Sequence, residues 1–169
     1  LNDHGADLHG GVELFRSQHP ETSEIYDVKH KAACLLKARL EGDERWKQYA
    51  CHLGQTKFAL QQTELAFLTP PSPRSKARFM NLGGLVEWGS KTLALVDDPS
   101  RLEALGASAE RVRAKLGWLE GFRGELAEWS AYQEVIDGAL DFVRCRGLSP
   151  GAGFALAKAL PARPGGAGE

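Results

Sequence analysis

The amino-acid sequence predicts a mainly α-helical protein with a small β portion, and two observations lead to this fold class. From Asp43 onwards, apolar residues recur at three- and four-residue steps, which is the spacing of amphipathic helices. Before Asp43, only two short pieces have strand-like character: a stub at the very N-terminus and residues 24–28, which contain Ile, Tyr and Val. The length of 169 residues, with 43% hydrophobic and 25% charged residues, suits one globular domain.

Capping and breaking residues place the ends of the predicted helices. His19-Pro20 ends the first helix, Gly42 ends the second, and Asp43 N-caps a third helix of roughly 24 residues. Prolines 70, 71 and 73 predict an extended linker, and glycines 121 and 124 are candidate breaks in the last helical pattern. In order, the predicted helices begin near Ala6, Val28 (with Ala32, Leu35, Leu36 and Leu40 inward), Glu44, Phe79, Ser100 and Ser108.

Charge is unevenly distributed, although the net charge is only −1. Residues 1–28 have a balance of −5, residues 29–91 have +6, and residues 92–169 have −2. An acidic head beside a basic middle is what a metal site next to a polyanion-binding surface needs. Chance clustering on solvated helix faces is the alternative interpretation.

Composition excludes several classes of protein. No run of 18 uncharged apolar residues exists, so the sequence predicts no membrane association. Cys34, Cys51 and Cys145 are isolated, with no CxxC motif, which favours reduced thiols in the cytoplasm. Because the chain lacks an initiator Met and its strand stubs lack partners, we expect it to be a piece of a larger protein.

Two aspartates follow the strand-like pieces. Asp3 follows the N-terminal stub, and Asp27 lies in the second piece with His30 three residues later. If the strands were neighbours, the two carboxylates would lie at one end of a sheet and would suit Mg²⁺ and a phosphate substrate. Both aspartates also fit helix N-caps, and a structural role is the more usual one for a histidine such as His30.

Four motifs together resemble bacterial insertion-sequence transposases of the DDE group, which have an RNase H-like catalytic core. They are Leu1-Asn2-Asp3-His4-Gly5-Ala6-Asp7-Leu8, Ile25-Tyr26-Asp27-Val28-Lys29-His30-Lys31, Gln61-Gln62-Thr63-Glu64-Leu65-Ala66-Phe67-Leu68 and Arg74-Ser75-Lys76-Ala77-Arg78-Phe79-Met80-Asn81. The resemblance implies that residues 1–42 are the C-terminal part of an RNase H-like α/β core. Residues 43–160 would be a helical insertion region, and the Pro/Gly-rich residues 161–169 a disordered tail.

The same resemblance implies the chemistry of the complete enzyme. Asp3 matches the second catalytic aspartate and would hold Mg²⁺ or Mn²⁺ for phosphodiester cleavage and strand transfer, with Asp27 and His30 in support. The first aspartate has no counterpart in this chain, and Glu64, Glu87 and Glu134 all fit structural roles. With one of three carboxylates, we expect negligible catalysis by this chain alone, and its status as an enzyme is open.

DNA is the partner that the basic segments predict. The residues expected at phosphates are Lys29, Lys31, Arg74, Lys76 and Arg78. Trp46 and Trp88 lie at helical spacing, which favours core positions over base stacking. Two other readings are a non-catalytic helical DNA-binding remnant and a helical protein-interaction module; a homo-oligomer is compatible with each of them.

Overall fold

The computed structural model describes residues 6–21, 28–73, 79 and 81–147. These residues form α-helices joined by short loops, with two 3₁₀-helices at Ala66–Leu68 and Gly117–Phe122. The α-helices are α1 (Ala6–Gln18), α2 (Val28–Leu40), α3 (Glu44–Leu60), α4 (Leu82–Val96), α5 (Pro99–Ala104), α6 (Ala109–Leu116) and α7 (Arg123–Arg146).

Side-chain caps define three of the helix starts. The Asp43 carboxylate accepts hydrogen bonds from the backbone amides of Arg45 and Trp46 at the start of α3. Asp98 caps α5 with Pro99 in its first turn, and the Ser108 hydroxyl caps α6. These contacts satisfy amide groups that have no partner inside their own helix.

The core is a layer of aromatic and aliphatic side chains between α3, α4 and α7. Trp46 and Tyr49 project from α3, and Trp129 projects from α7. The rings of Trp46 and Trp129 meet edge to face, with their centroids 5.1 Å apart. The Tyr49 hydroxyl donates a 2.8 Å hydrogen bond to the carbonyl of Leu85 in α4. Its burial raises the pKa of the Tyr49 phenol well above its ordinary value.

Arg45 joins the start of α3 to the start of α7. Its Nε donates a 2.5 Å hydrogen bond to Glu125, and its Nη2 donates to the carbonyl of Gly121. The guanidinium also lies 4.2 Å from the centre of the Phe122 ring. Because Arg45 favours the charged carboxylate, its hydrogen bond lowers the pKa of Glu125 below the ordinary 4.5.

We expect this ion pair to make the fold sensitive to acid. A folded-state pKa below the unfolded one stabilises the protein above about pH 4.5, and that stabilisation is lost as the pH falls through the folded pKa. Urea unfolding from neutral to acidic pH should therefore show a smaller decline for Glu125→Gln than for the native chain. The difference should stay under about 1 kcal/mol, because both side chains are partly exposed.

The exposed Glu103 of α5 is the control. Its variant Glu103→Gln should follow the native pH profile. Identical acid profiles for the native chain and Glu125→Gln would show that the pair does not contribute.

The prediction of a partial RNase H-like α/β core is wrong. No strand occurs in the part of the chain that the structure describes, and Val28, the last residue of the second strand-like piece, is the first residue of α2, where the second helix was also predicted to begin. The physical reason is that a strand of a few residues needs a paired neighbour to bury its side chains. The helix starting at Val28 buries Ala32, Ala33, Leu36 and Leu40 without one. The mainly α-helical part of the prediction is confirmed, while residues 1–5 and 24–27 lie outside the described residues.

The proposed division at residue 42 stays a prediction. Leu36 and Leu40 of α2 belong to the same buried cluster as Trp46 and Trp129. Arg39 also reaches α7, where it donates hydrogen bonds to Tyr132 and Glu128. The predicted tail, residues 161–169, lies outside the described residues.

Candidate nucleic-acid interface

A cleft of about 310 Å³ opens between α2, the beginning of α4 and the second half of α7. Small residues create this space: Ala32 and Ala33 face it from α2, and Gly83 and Gly84 face it from α4. Gly83 packs closely against α7, because a Cβ at this position would lie 3.1 Å from the Gln133 side chain. A larger side chain there would have to displace Gln133.

Two basic side chains line the cleft. Lys29 comes from the first turn of α2 and is exposed, and Arg144 comes from the last turn of α7. Arg144 is held by a 2.9 Å hydrogen bond to Asp141, one turn earlier on the same helix. The one carboxylate among the lining residues is Asp137, which accepts a 2.9 Å hydrogen bond from Gln133. The cleft therefore combines two basic side chains, one of them ion-paired with Asp141, with a wall of apolar and amide groups.

Phe79 links this cleft to the predicted basic segment. It is buried, it lines the cleft, and its ring lies 6.2 Å from that of Trp46. Arg78 is the residue immediately before Phe79 in the sequence. Arg74, Lys76 and Arg78 themselves lie outside the described residues.

A second cleft lies on the other side of Gln133, with a volume of about 350 Å³. It is lined by Glu87, Glu134 and Asp137, with Lys91 as its one basic residue. Lys91 forms a 2.6 Å ion pair with Glu87 and lowers the pKa of that carboxyl. Acidic residues outnumber basic ones among the residues lining this cleft, whereas the first cleft is lined by two basic residues and one acidic residue.

The other predicted residues of α2 lie on different faces. Lys31 is exposed and His30 is half-buried, and neither lines the cleft. The structure therefore brings Lys29 to the cleft and leaves Lys31 outside it. Asp3 and Asp27 lie outside the described residues.

The motif Gln61–Leu68 forms a structural corner. Its apolar anchors, Leu65 and Leu68, are buried, and the indole of Trp88 donates a 3.1 Å hydrogen bond to the Leu68 carbonyl. Glu64 forms a 2.7 Å ion pair with Arg111, and both side chains are exposed. Trp46 is buried in the core and Trp88 is half-buried, as the helical spacing predicts.

Arg144 is the cleft residue that sequence reasoning missed. It belongs to no motif, and nothing in the sequence relates it to Lys29, 115 positions earlier. Only the antiparallel packing of α2 on α7 brings the two cations to one cleft. The sequence shows only that Arg144 lies in the last turn of a long helix. Basic residues are common at this position in helices, so this alone does not indicate a binding role.

The described residues contain no group of side chains that could hold a metal ion. Among the side chains that the structure describes, no three of His, Cys, Asp or Glu come together as a metal ion requires. The predicted Mg²⁺ site thus depends on Asp3, which is outside that set, and no step of metal chemistry follows from the described residues. None of the described helices is both long and apolar enough to cross a membrane.

No protein family model matches this chain, and comparisons with curated proteins and with solved structures also found no match.

Proposed function

We propose that this chain belongs to a DNA transposase and contributes DNA contacts, without catalysis of its own, through the cleft between α2 and α7. One observation carries this proposal. Lys29 and Arg144 line the same cleft as Phe79, the residue that directly follows Arg78. A concave surface with two basic side chains, next in sequence to a basic segment, suits the phosphates of a nucleic-acid backbone.

The four motifs that resemble DDE transposases, two of which contain Lys29, Arg78 and Phe79, also support this function. In the complete enzyme, Mg²⁺ or Mn²⁺ at Asp3 and the two absent carboxylates would supply the cleavage chemistry. The described residues would then hold the DNA. We also place the protein in the cytoplasm, since its three cysteines are free and exposed.

The experiment is a DNA-binding titration with the full chain and a short labelled duplex of random sequence. Each lysine or arginine contact to a phosphate releases counterions, so affinity should fall steeply between about 50 and about 200 mM salt. The double variant Lys29→Ala/Arg144→Ala should weaken binding and reduce the slope of log K against log salt by about 2. Every duplex sequence should be affected similarly, because phosphate contacts do not read bases.

Arg113→Ala/Lys115→Ala is the matched control. It also removes two positive charges, but from exposed positions of α6 that do not line the cleft. We expect a much smaller change in the salt slope for this variant. If both double variants lose the same DNA affinity, the loss reflects net charge alone, and the assignment of the DNA contacts to the cleft is overturned. No binding of the native chain at low salt would overturn the proposed function itself.

A further inference from the structure

The first two helices leave large apolar side chains in solvent. Leu14 is 65% exposed and Phe15 is 52% exposed on α1, and Leu35 is 67% exposed on α2. No side chain described in α1, from residue 10 to residue 18, is buried. Contiguous exposed apolar side chains, such as the adjacent Leu14 and Phe15, are typical of a surface that a partner covers.

The exposed residues of α2 form a continuous face. Lys31, Cys34, Leu35 and Ala38 recur at three- and four-residue spacing and are all exposed. Ala32 and Leu36, on the opposite side of the helix, are buried against the rest of the fold. We name this face the outer face of α2; it lies away from Lys29 and the cleft.

The charges around these two surfaces are complementary. The α2 helix contains four basic residues and no acidic one. The described side chains of residues 10–21, in and just after α1, include the acidic Glu13 and Glu21 and the basic Arg16. The apolar side chains of α1, which lie near acidic residues, can pack on the outer face of the basic α2 helix. Such a contact would combine buried apolar surface with attraction between opposite charges.

We propose that the outer face of α2 is covered by α1 of a second copy of this chain. Within one chain Leu14, Phe15 and Leu35 all stay exposed, so neither surface covers the other. In a two-fold dimer the contact occurs twice, with α1 of each copy on α2 of the other. Both helices have 13 residues, or about 20 Å, so they match in length.

Sedimentation velocity of the full chain over a range of concentrations tests this interface. We expect a monomer–dimer equilibrium that weakens as salt rises. Leu35→Lys, on α2, and Leu14→Lys, on α1, should each raise the dimer Kd by about tenfold or more, because each charged residue enters both contacts. Leu105→Lys is the matched control, since Leu105 is 53% exposed on a distant loop, and its Kd should stay native.

A mixture of the two variants tests the pairing itself. A dimer of one Leu14→Lys chain and one Leu35→Lys chain keeps one native contact, so the mixture should associate more tightly than either variant alone. Circular dichroism checks that each variant folds. Because both sites lie at the surface, we expect native spectra. A monomer at every concentration, or a native Kd for Leu35→Lys, would overturn the proposal. DNA binding of Leu35→Lys monomers through Lys29 and Arg144 is measured separately, so either proposal can fail without the other.

Discussion

Replacing Trp129 by alanine should cost about 3–5 kcal/mol of unfolding free energy, the largest loss we expect from any single truncation in this chain. Trp129 is 1% exposed and contacts rings from two other elements. Its ring centroid lies 5.1 Å from those of Trp46 and Tyr49 and 6.5 Å from that of Phe122. Removing the indole leaves a cavity among rings that are themselves held in place and cannot fully collapse. Urea denaturation monitored by circular dichroism measures the loss.

Phe58→Ala is the control for this prediction. Phe58 is an aromatic residue of α3 that is 76% exposed, so its truncation should change the unfolding free energy by no more than about 0.5 kcal/mol. A loss below about 1 kcal/mol for Trp129→Ala would mean that α7 does not pack on α3 as described. Because a small domain is stabilised by only about 5–15 kcal/mol, the variant is studied at low temperature.

The second large effect comes from adding a single methyl group at Gly89. Alanine usually stabilises a helix relative to glycine by about 1 kcal/mol, but at this position we expect a net loss of about 1–3 kcal/mol. A Cβ on Gly89 would overlap the hydroxyl oxygen of Tyr49 and lie 2.8 Å from a methyl group of Leu126. Neither neighbour can move easily, because Tyr49 is hydrogen-bonded to Leu85 and Leu126 is buried.

Gly54→Ala separates this packing effect from helix propensity. Gly54 lies inside α3, and a Cβ there would meet nothing within 4 Å. We therefore expect Gly54→Ala to raise the unfolding free energy by up to about 1 kcal/mol, opposite in sign to Gly89→Ala. If both variants are stabilised, the close approach of α3, α4 and α7 at Gly89 is wrong.

These two sites also bear on the proposed DNA contacts. Gly89 of α4 packs against Leu126 of α7, and Trp129 packs α7 against α3. The beginning of α4 and the end of α7 line the cleft that contains Lys29 and Arg144. A change that separates α4 from α7 should therefore weaken DNA binding even though it removes no charge. The charge variants should do the reverse, weakening binding without lowering stability.

Much of the local structure could be predicted from the sequence. The first two helices end where His19-Pro20 and Gly42 predict that they end. Asp43 and Ser108 cap α3 and α6, also as predicted. Such signals work because a helix end is decided by one or two residues and their own backbone groups. The predicted third helix was too long: α3 ends at Leu60, and residues 61–65 turn so that Leu65 and Leu68 can be buried. The short helix after Val96 is capped by Asp98, with Ser100 hydrogen-bonded to that cap.

The faces that the helices bury were harder to predict. Leu35 was expected inward beside Leu36, but only Leu36 is buried, because α2 contacts α7 along one narrow stripe. The prediction of an RNase H-like core was wrong for a related reason. A resemblance in short motifs does not specify which segments of the chain pair as neighbouring strands. The cleft likewise needed Lys29, Phe79 and Arg144 to approach from three separate elements.

The sequence by itself determined that the chain is mainly helical and where most of its helices start and stop. It also showed that basic residues concentrate in the middle of the chain. Each of these properties depends on residues that are only a few positions apart. The tertiary structure decided that Lys29 and Arg144 share one cleft, that Gly89 is a point of close packing, and that α1 and the outer face of α2 stay exposed. These outcomes depend on contacts between residues far apart in the chain, and no local spacing or propensity encodes them.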